Sequence, residues 1–175
     1  VGEFSKALRI LLIPLYLVGS SIAQVFYQKA SKDYNNGIDI SKSLRQIVVN
    51  LLKWSVLPLV VFIFISPWLF GFVLGQQWVT AGEYARILSI WIFVRFVTSP
   101  IAMIPLIIDK QKIYLLLNLI GNIIMIASVL IPGVTGLSIT TTLLLLSFSQ
   151  AVFMILLYFK VLSIYKGIRP GSLSA

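Results

Sequence analysis

Charge disappears from this chain in long blocks. No Asp, Glu, Lys or Arg lies between Trp54 and Gly82, and none between Ile113 and Phe159. An apolar helix needs about 20 residues to cross a hydrocarbon layer of about 30 Å. The first block holds one crossing. The second holds two, with a turn at Pro132-Gly133-Val134-Thr135-Gly136 between them. The whole pattern predicts an all-α, polytopic transmembrane bundle of five spans: A at about residues 7–28, B at 54–74, C at 84–108, D at 113–131 and E at 137–159. Trp54, Trp68, Trp78, Tyr84 and Tyr158 fall near span ends, where amphipathic rings sit at headgroup level.

The segment between A and B has its own pattern. Tyr34-Asn35-Asn36-Gly37 reads as a turn, because Asn and Gly tolerate positive φ. Asp39 is placed to cap a following helix. Ile40, Leu44, Ile47, Val48, Leu51 and Leu52 then recur at helical spacing, with Lys42, Arg45, Gln46 and Asn50 on the other face. That spacing predicts an amphipathic helix over about 39–53, lying on the membrane surface. The alternative is a cytoplasmic extension of span B.

Charge orients the spans. Taken as alternating crossings, the A–B loop, the C–D loop and the C-terminal tail hold ten Lys and Arg, and the other side holds three. The positive-inside rule places the first group in the cytoplasm. Lys6 and Arg9 followed by an apolar run also resemble a signal peptide. Cleavage there would leave the five cations of the A–B loop outside, against the same rule. The chain begins at Val1 rather than Met, which reads as a piece of a longer protein.

Composition agrees. Apolar residues make up 59%, charged residues 11%, and mean hydropathy is +1.00, whereas soluble domains carry about 25% charged residues. The 14 Lys and Arg against 5 Asp and Glu would suggest nucleic acid in a soluble domain. Here they are read as loop charge facing the anionic heads of the bilayer, with no nucleic-acid partner. Without Cys or His there is no disulfide, thiolate chemistry or soft metal site. The carboxylates Glu3, Asp33, Asp39, Glu83 and Asp109 are scattered, and no two share a helical face at catalytic spacing. No catalytic set, metal or cofactor is expected.

Polar groups inside the spans are the candidates for chemistry. Tyr16, Ser20, Gln24 and Gln28 follow at i, i+4 in span A, and Asn118 and Asn122 do so in span D. Gln150 lies mid-span in E. Such amides more often tie helices together than contact a substrate; the four-residue stripe in A suggests a wet face. Arg95 lies nine residues from Arg86, about 13 Å deep at 1.5 Å per residue. A guanidinium there costs at least about 2.5–3.5 kcal/mol and stays charged. It must meet water, another part of the protein or an anionic ligand. Backbone carbonyls are the alternative, since Pro100 frees the one at Phe96. Prolines 14, 58, 67, 100 and 105 also interrupt spans A to C, as in transporters with broken helices.

One stretch is familiar. Gly75-Gln-Gln-Trp-Val-Thr-Ala-Gly-Glu-Tyr-Ala-Arg-Ile-Leu88, followed by Trp91-Ile-Phe-Val-Arg-Phe-Val-Thr-Ser-Pro100, resembles the polysaccharide-export family of membrane proteins. Pro14 to Ser31 and Ile107-Ile-Asp-Lys-Gln-Lys112 are similar to it as well. The family includes the O-antigen and teichoic-acid flippases of the MOP superfamily. The resemblance implies two six-helix lobes around a central cavity, in the inner membrane. Spans A to E would be the last five of twelve helices, with the C-terminus cytoplasmic and the N-terminal lobe absent from this chain. It implies export of a polyprenyl-pyrophosphate-linked glycan by alternating access, with Arg95 as the candidate contact for the pyrophosphate. Ser20, Tyr16, Gln24, Gln28, Asn118, Asn122 and Gln150 are the further cavity candidates. A MATE-type, cation-coupled drug antiporter is the competing reading, but it needs an intramembrane carboxylate and none lies within the spans. A scaffold subunit that transports nothing is the third.

Overall fold

The computed structural model describes residues 2–168, with side chains from Leu17 onward. It is an all-α bundle: α1 (Gly2–Asn35), α2 (Ser41–Leu74), α3 (Val79–Thr98), α4 (Ile104–Ile107), α5 (Gln111–Val134) and α6 (Ile139–Gly167). Among the described residues, four helical stretches are long and apolar enough to cross a membrane: Ser41–Leu74, Gln76–Ile107, Gln111–Val134 and Ile139–Gly167. By helix length and composition the chain is a multi-pass membrane protein. α1 matches α2 in length, at 34 residues.

The region expected as a separate surface helix is joined to span B. α2 runs without a break from Ser41 to Leu74, about 51 Å at 1.5 Å per residue. The amphipathic pattern is present, but the face it buries packs on protein: Ile40 and Leu44 are fully buried in one cluster with Phe26, Ala30, Ile108, Val161 and Tyr165. No Gly or Pro lies between Ser41 and Ser55 to stop the helix. The turn before it is as expected, with Gly37 at φ 73° and its N–H bonded to the Tyr34 carbonyl at 3.0 Å. Asp39 does serve the helix start, accepting the Ser41 N–H at 2.9 Å.

Span C is divided. α3 ends at Thr98, a 3-10 stretch covers Ser99–Met103, and α4 follows. The cause is Pro100 and Pro105, which have no N–H for the carbonyls of Phe96 and Ile101. Each carbonyl is taken instead by the residue one step earlier: the Ser99 N–H bonds Phe96 O and the Ile104 N–H bonds Ile101 O. These shorter bonds tighten the helix locally. Asp109 then turns the chain at φ 54°, a left-handed conformation that Asp tolerates better than most side chains. The Lys110 N–H closes the turn on Pro105 O.

α3 is the hub. It packs on α2, α6 and α1, and half of its apolar stretch is buried, against 6% for α5. Gly82 lets α3 approach α2 at backbone distance: a Cβ there would lie 2.6 Å from Pro67 Cα and from Ser66 O. α5 hangs mainly on α6. Phe153 of α6 fills the space left by Gly121 of α5.

Candidate functional site

Two buried clusters lie toward opposite ends of the bundle. One joins α1, α2, α4 and α6 around Phe26, Ile40, Leu44, Ile104, Val161 and Tyr165. It sits at the end that carries the α1–α2 loop, the α4–α5 loop and the end of α6, hereafter the basic end. The other joins α2, α3 and α6 around Phe70, Ala85, Leu88, Trp91 and Leu146. Between them lies a cavity of about 250 Å³. Its floor and roof borrow from the clusters, through Ile101 and Leu157 on one side and Ile92 on the other.

Four helices supply the walls. α1 contributes Gly19, Ser20 and Ala23; α3 contributes Ile92, Arg95, Phe96 and Thr98; α5 contributes Tyr114 and Asn118; α6 contributes Met154 and Leu157. The 3-10 stretch adds Ser99, Ile101, Ala102 and Met103. Arg95 is the charged side chain among these lining residues, and it is half-buried. The lining is otherwise apolar surface with a few hydroxyls and one amide.

Several of those polar groups turn their donors into their own helices. Ser20 Oγ donates to Leu17 O at 3.2 Å, Thr98 Oγ1 to Val94 O at 2.8 Å, and Asn118 Nδ2 to Tyr114 O at 2.8 Å. Ser99 Oγ is buried without a hydrogen-bond partner and faces Gly19, where a Cβ would stand 3.7 Å away. The Phe96 carbonyl, which Pro100 was expected to free for Arg95, accepts the Ser99 N–H. A guanidinium lining an apolar cavity, with permanent charge and a planar fork of donors, suits an anionic group attached to an apolar body. Among the described residues no group of three or more His, Cys, Asp or Glu is placed to hold a metal ion.

The sequence candidates divide. Arg95, Ser20 and Asn118 are brought together at the cavity. Gln24, Gln28 and Asn122 are exposed and do not line it. Gln150 is spent on packing: it is 3% exposed, and its Nε2 donates to Gly121 O at 3.1 Å, tying α6 to α5. The side chain of Tyr16 lies outside the described residues. Thr98, Ser99 and Tyr114 line the cavity and were not among the candidates. The Thr-Ser-Pro run inside a span and the placement of Tyr114 four residues before Asn118 are the signals that would have found them.

Comparison of the chain with protein-family models, curated proteins and solved structures finds no match.

Proposed function

We propose that this chain is one lobe of a flippase that exports a polyprenyl-pyrophosphate-linked glycan by alternating access, with its basic end in the cytoplasm of the inner membrane. The observation that carries the reading is Arg95, lining a mid-bundle cavity whose other walls are mostly apolar. An anion with a hydrocarbon tail meets both halves of that chemistry. The volume of about 250 Å³ lies below the range of roughly 300–1,000 Å³ usual for whole ligand pockets. It suits the charged head of such a cargo, with the sugars outside. The described lining residues include no carboxylate, the group that cation-coupled antiport requires.

The test uses the full-length protein in a flippase-deletion strain. Arg95→Lys keeps the charge and loses the bidentate fork, so partial glycan export is expected. Arg95→Gln is expected to reduce export to background while membrane abundance stays near normal. Normal export by Arg95→Gln would sink the reading. Loss of the protein itself would assign Arg95 to holding the fold.

A further inference from the structure

Three lysines stand where exposed apolar surface begins. Lys53 precedes Trp54 on α2, Lys112 precedes Ile113 on α5, and Lys160 follows Phe159 on α6. All three lysines are exposed. Their neighbours are also turned outward: Trp54 is 83% exposed, Ile113 39% and Phe159 61%. Each lysine begins or ends a charge-free run of its helix.

All three lie near the buried cluster at the basic end. Lys160 lies between Leu157 and Val161, both in the buried cluster at the basic end. Lys112 is two residues from Tyr114, which packs on that cluster. Lys53 is five residues from Val48, which also packs on it, a rise of about 7.5 Å. On three different helices, then, a lysine marks where the charge-free run meets the basic end. Further cations lie there, and the described residues of this end hold nine Lys and Arg against three Asp.

We propose that Lys53, Lys112 and Lys160 form a ring that binds the headgroups of anionic phospholipids in the leaflet at the basic end. The neighbouring side chains decide the class of partner. A soluble acidic peptide or a nucleic acid would satisfy the ammonium groups but leave Trp54, Ile113 and Phe159 facing water. A phospholipid offers its phosphate to each lysine and its acyl chain to the ring or aliphatic group beside it. The lysine stems lie along the apolar surface while their heads reach the phosphates. The inference is independent of what the cavity carries.

The test is lipid selectivity of the full-length protein reconstituted in mixed phosphatidylcholine and phosphatidylglycerol membranes, read from the lipid retained on extraction. Wild type is expected to retain phosphatidylglycerol about fivefold in excess over its bulk share, the discrimination that one basic residue near a membrane surface provides. The triple variant Lys53→Gln, Lys112→Gln, Lys160→Gln is expected to lose most of that excess, and the corresponding triple Lys→Arg variant to keep it. A second triple, Lys32→Gln, Lys42→Gln, Lys166→Gln, removes as much charge away from the boundary and is expected to keep it too. If the glutamine ring variant does not accumulate, its three single variants are compared instead, each expected to lose part of the excess. No excess in wild type, equal excess in wild type and the glutamine ring variant, or equal loss in the two glutamine triples would overturn the proposal. So would displacement of the retained lipid by millimolar inorganic phosphate, which would point to a site for free anions.

Discussion

The two ends of the bundle are held by different physics. At the basic end, α1, α2, α4 and α6 converge on large side chains, with Tyr165, Phe26, Ile40, Leu44, Ile104 and Val161 all nearly inaccessible. A polar latch completes it. Tyr165 Oη accepts the Ile40 N–H at 3.0 Å and donates to Asp39 Oδ1 at 3.0 Å. At the other end, α3 meets α2 and α6 with small residues set among Phe70, Leu88, Trp91 and Leu146. Ala81, Gly82 and Ala85 are buried in the seam, and Ser147 Oγ donates to the Ile87 carbonyl at 2.8 Å. One end is locked by shape and a specific hydrogen-bond relay. The other is held by close backbone approach, as in helix pairs that pack within lipid. The cavity lies between two seams that fail in different ways.

The largest effect should come from Gly82. A Cβ at that position meets backbone atoms of Ser66 and Pro67 at 2.6 Å, and backbone cannot rotate away. Gly82→Ala is expected to lose about 1–3 kcal/mol, seen as a lower midpoint in thermal unfolding of the detergent-solubilised protein. Gly133→Ala, where nothing lies within 4 Å, is the matched control and should cost nothing. Equal behaviour of the two variants would remove the close approach from the account of that end.

Next in size is the latch. Tyr165→Phe keeps the ring in the core but leaves the Ile40 N–H buried without an acceptor. The expected loss is about 1–2 kcal/mol. It should be confined to one end: hydrogen exchange at the amides of residues 40–44 should quicken, while residues 82–88 stay as protected as before. Uniform loosening of both regions would mean that the two ends are one cooperative unit.

The smallest effect is on pH. The Ser41 N–H holds the Asp39 carboxyl below its ordinary value of 3.8; partial burial opposes this, and the Ser41 and Tyr165 hydroxyls and Lys42 assist. A carboxyl lowered in the folded state adds stability above its unfolded value, and that stability fades as pH falls through the folded value. The basic end should therefore loosen slightly below about pH 4, and Asp39→Asn should remove that acid sensitivity. Exchange rates at residues 40–44 that are identical at pH 3 and pH 6, once corrected for intrinsic chemistry, would count against it.

The sequence foretold the bundle because lipid-facing surface must be apolar for a whole crossing. The charge-free runs of α2, α5 and α6 come from that requirement alone. What it hid were features set by neighbours. The start of α2 does not mark a membrane boundary, because the helix begins inside a protein core, just after Ile40 and through Leu44. Proline positions were plain, but the 3-10 bonds that rescue Phe96 O and Ile101 O depend on the following turn. The span A stripe shows why Ser20 reaches the cavity and Gln28 does not. The packed face of α1 is Ala23, Phe26 and Ala30. At about 100° per residue, Ser20 stands roughly 60° from Ala23, Gln24 roughly 100° and Gln28 roughly 140°. An i, i+4 row drifts around its helix, and only its first described member still looks into the cavity. Arg95 was legible for a simpler reason, since a permanent charge within a span has few places to go.

The latch also has a history within each molecule's synthesis. Ile40 and Tyr165 are 125 residues apart in sequence. At about 5–20 residues per second, a ribosome needs roughly 6–25 s to pass from one to the other. Throughout that interval the Ile40 N–H must be served by water or by a chaperoning surface, and the start of α2 has no seat. The basic end can close only when α6 arrives, so truncation within α6 should leave an early, exposed segment for quality-control proteases to recognise.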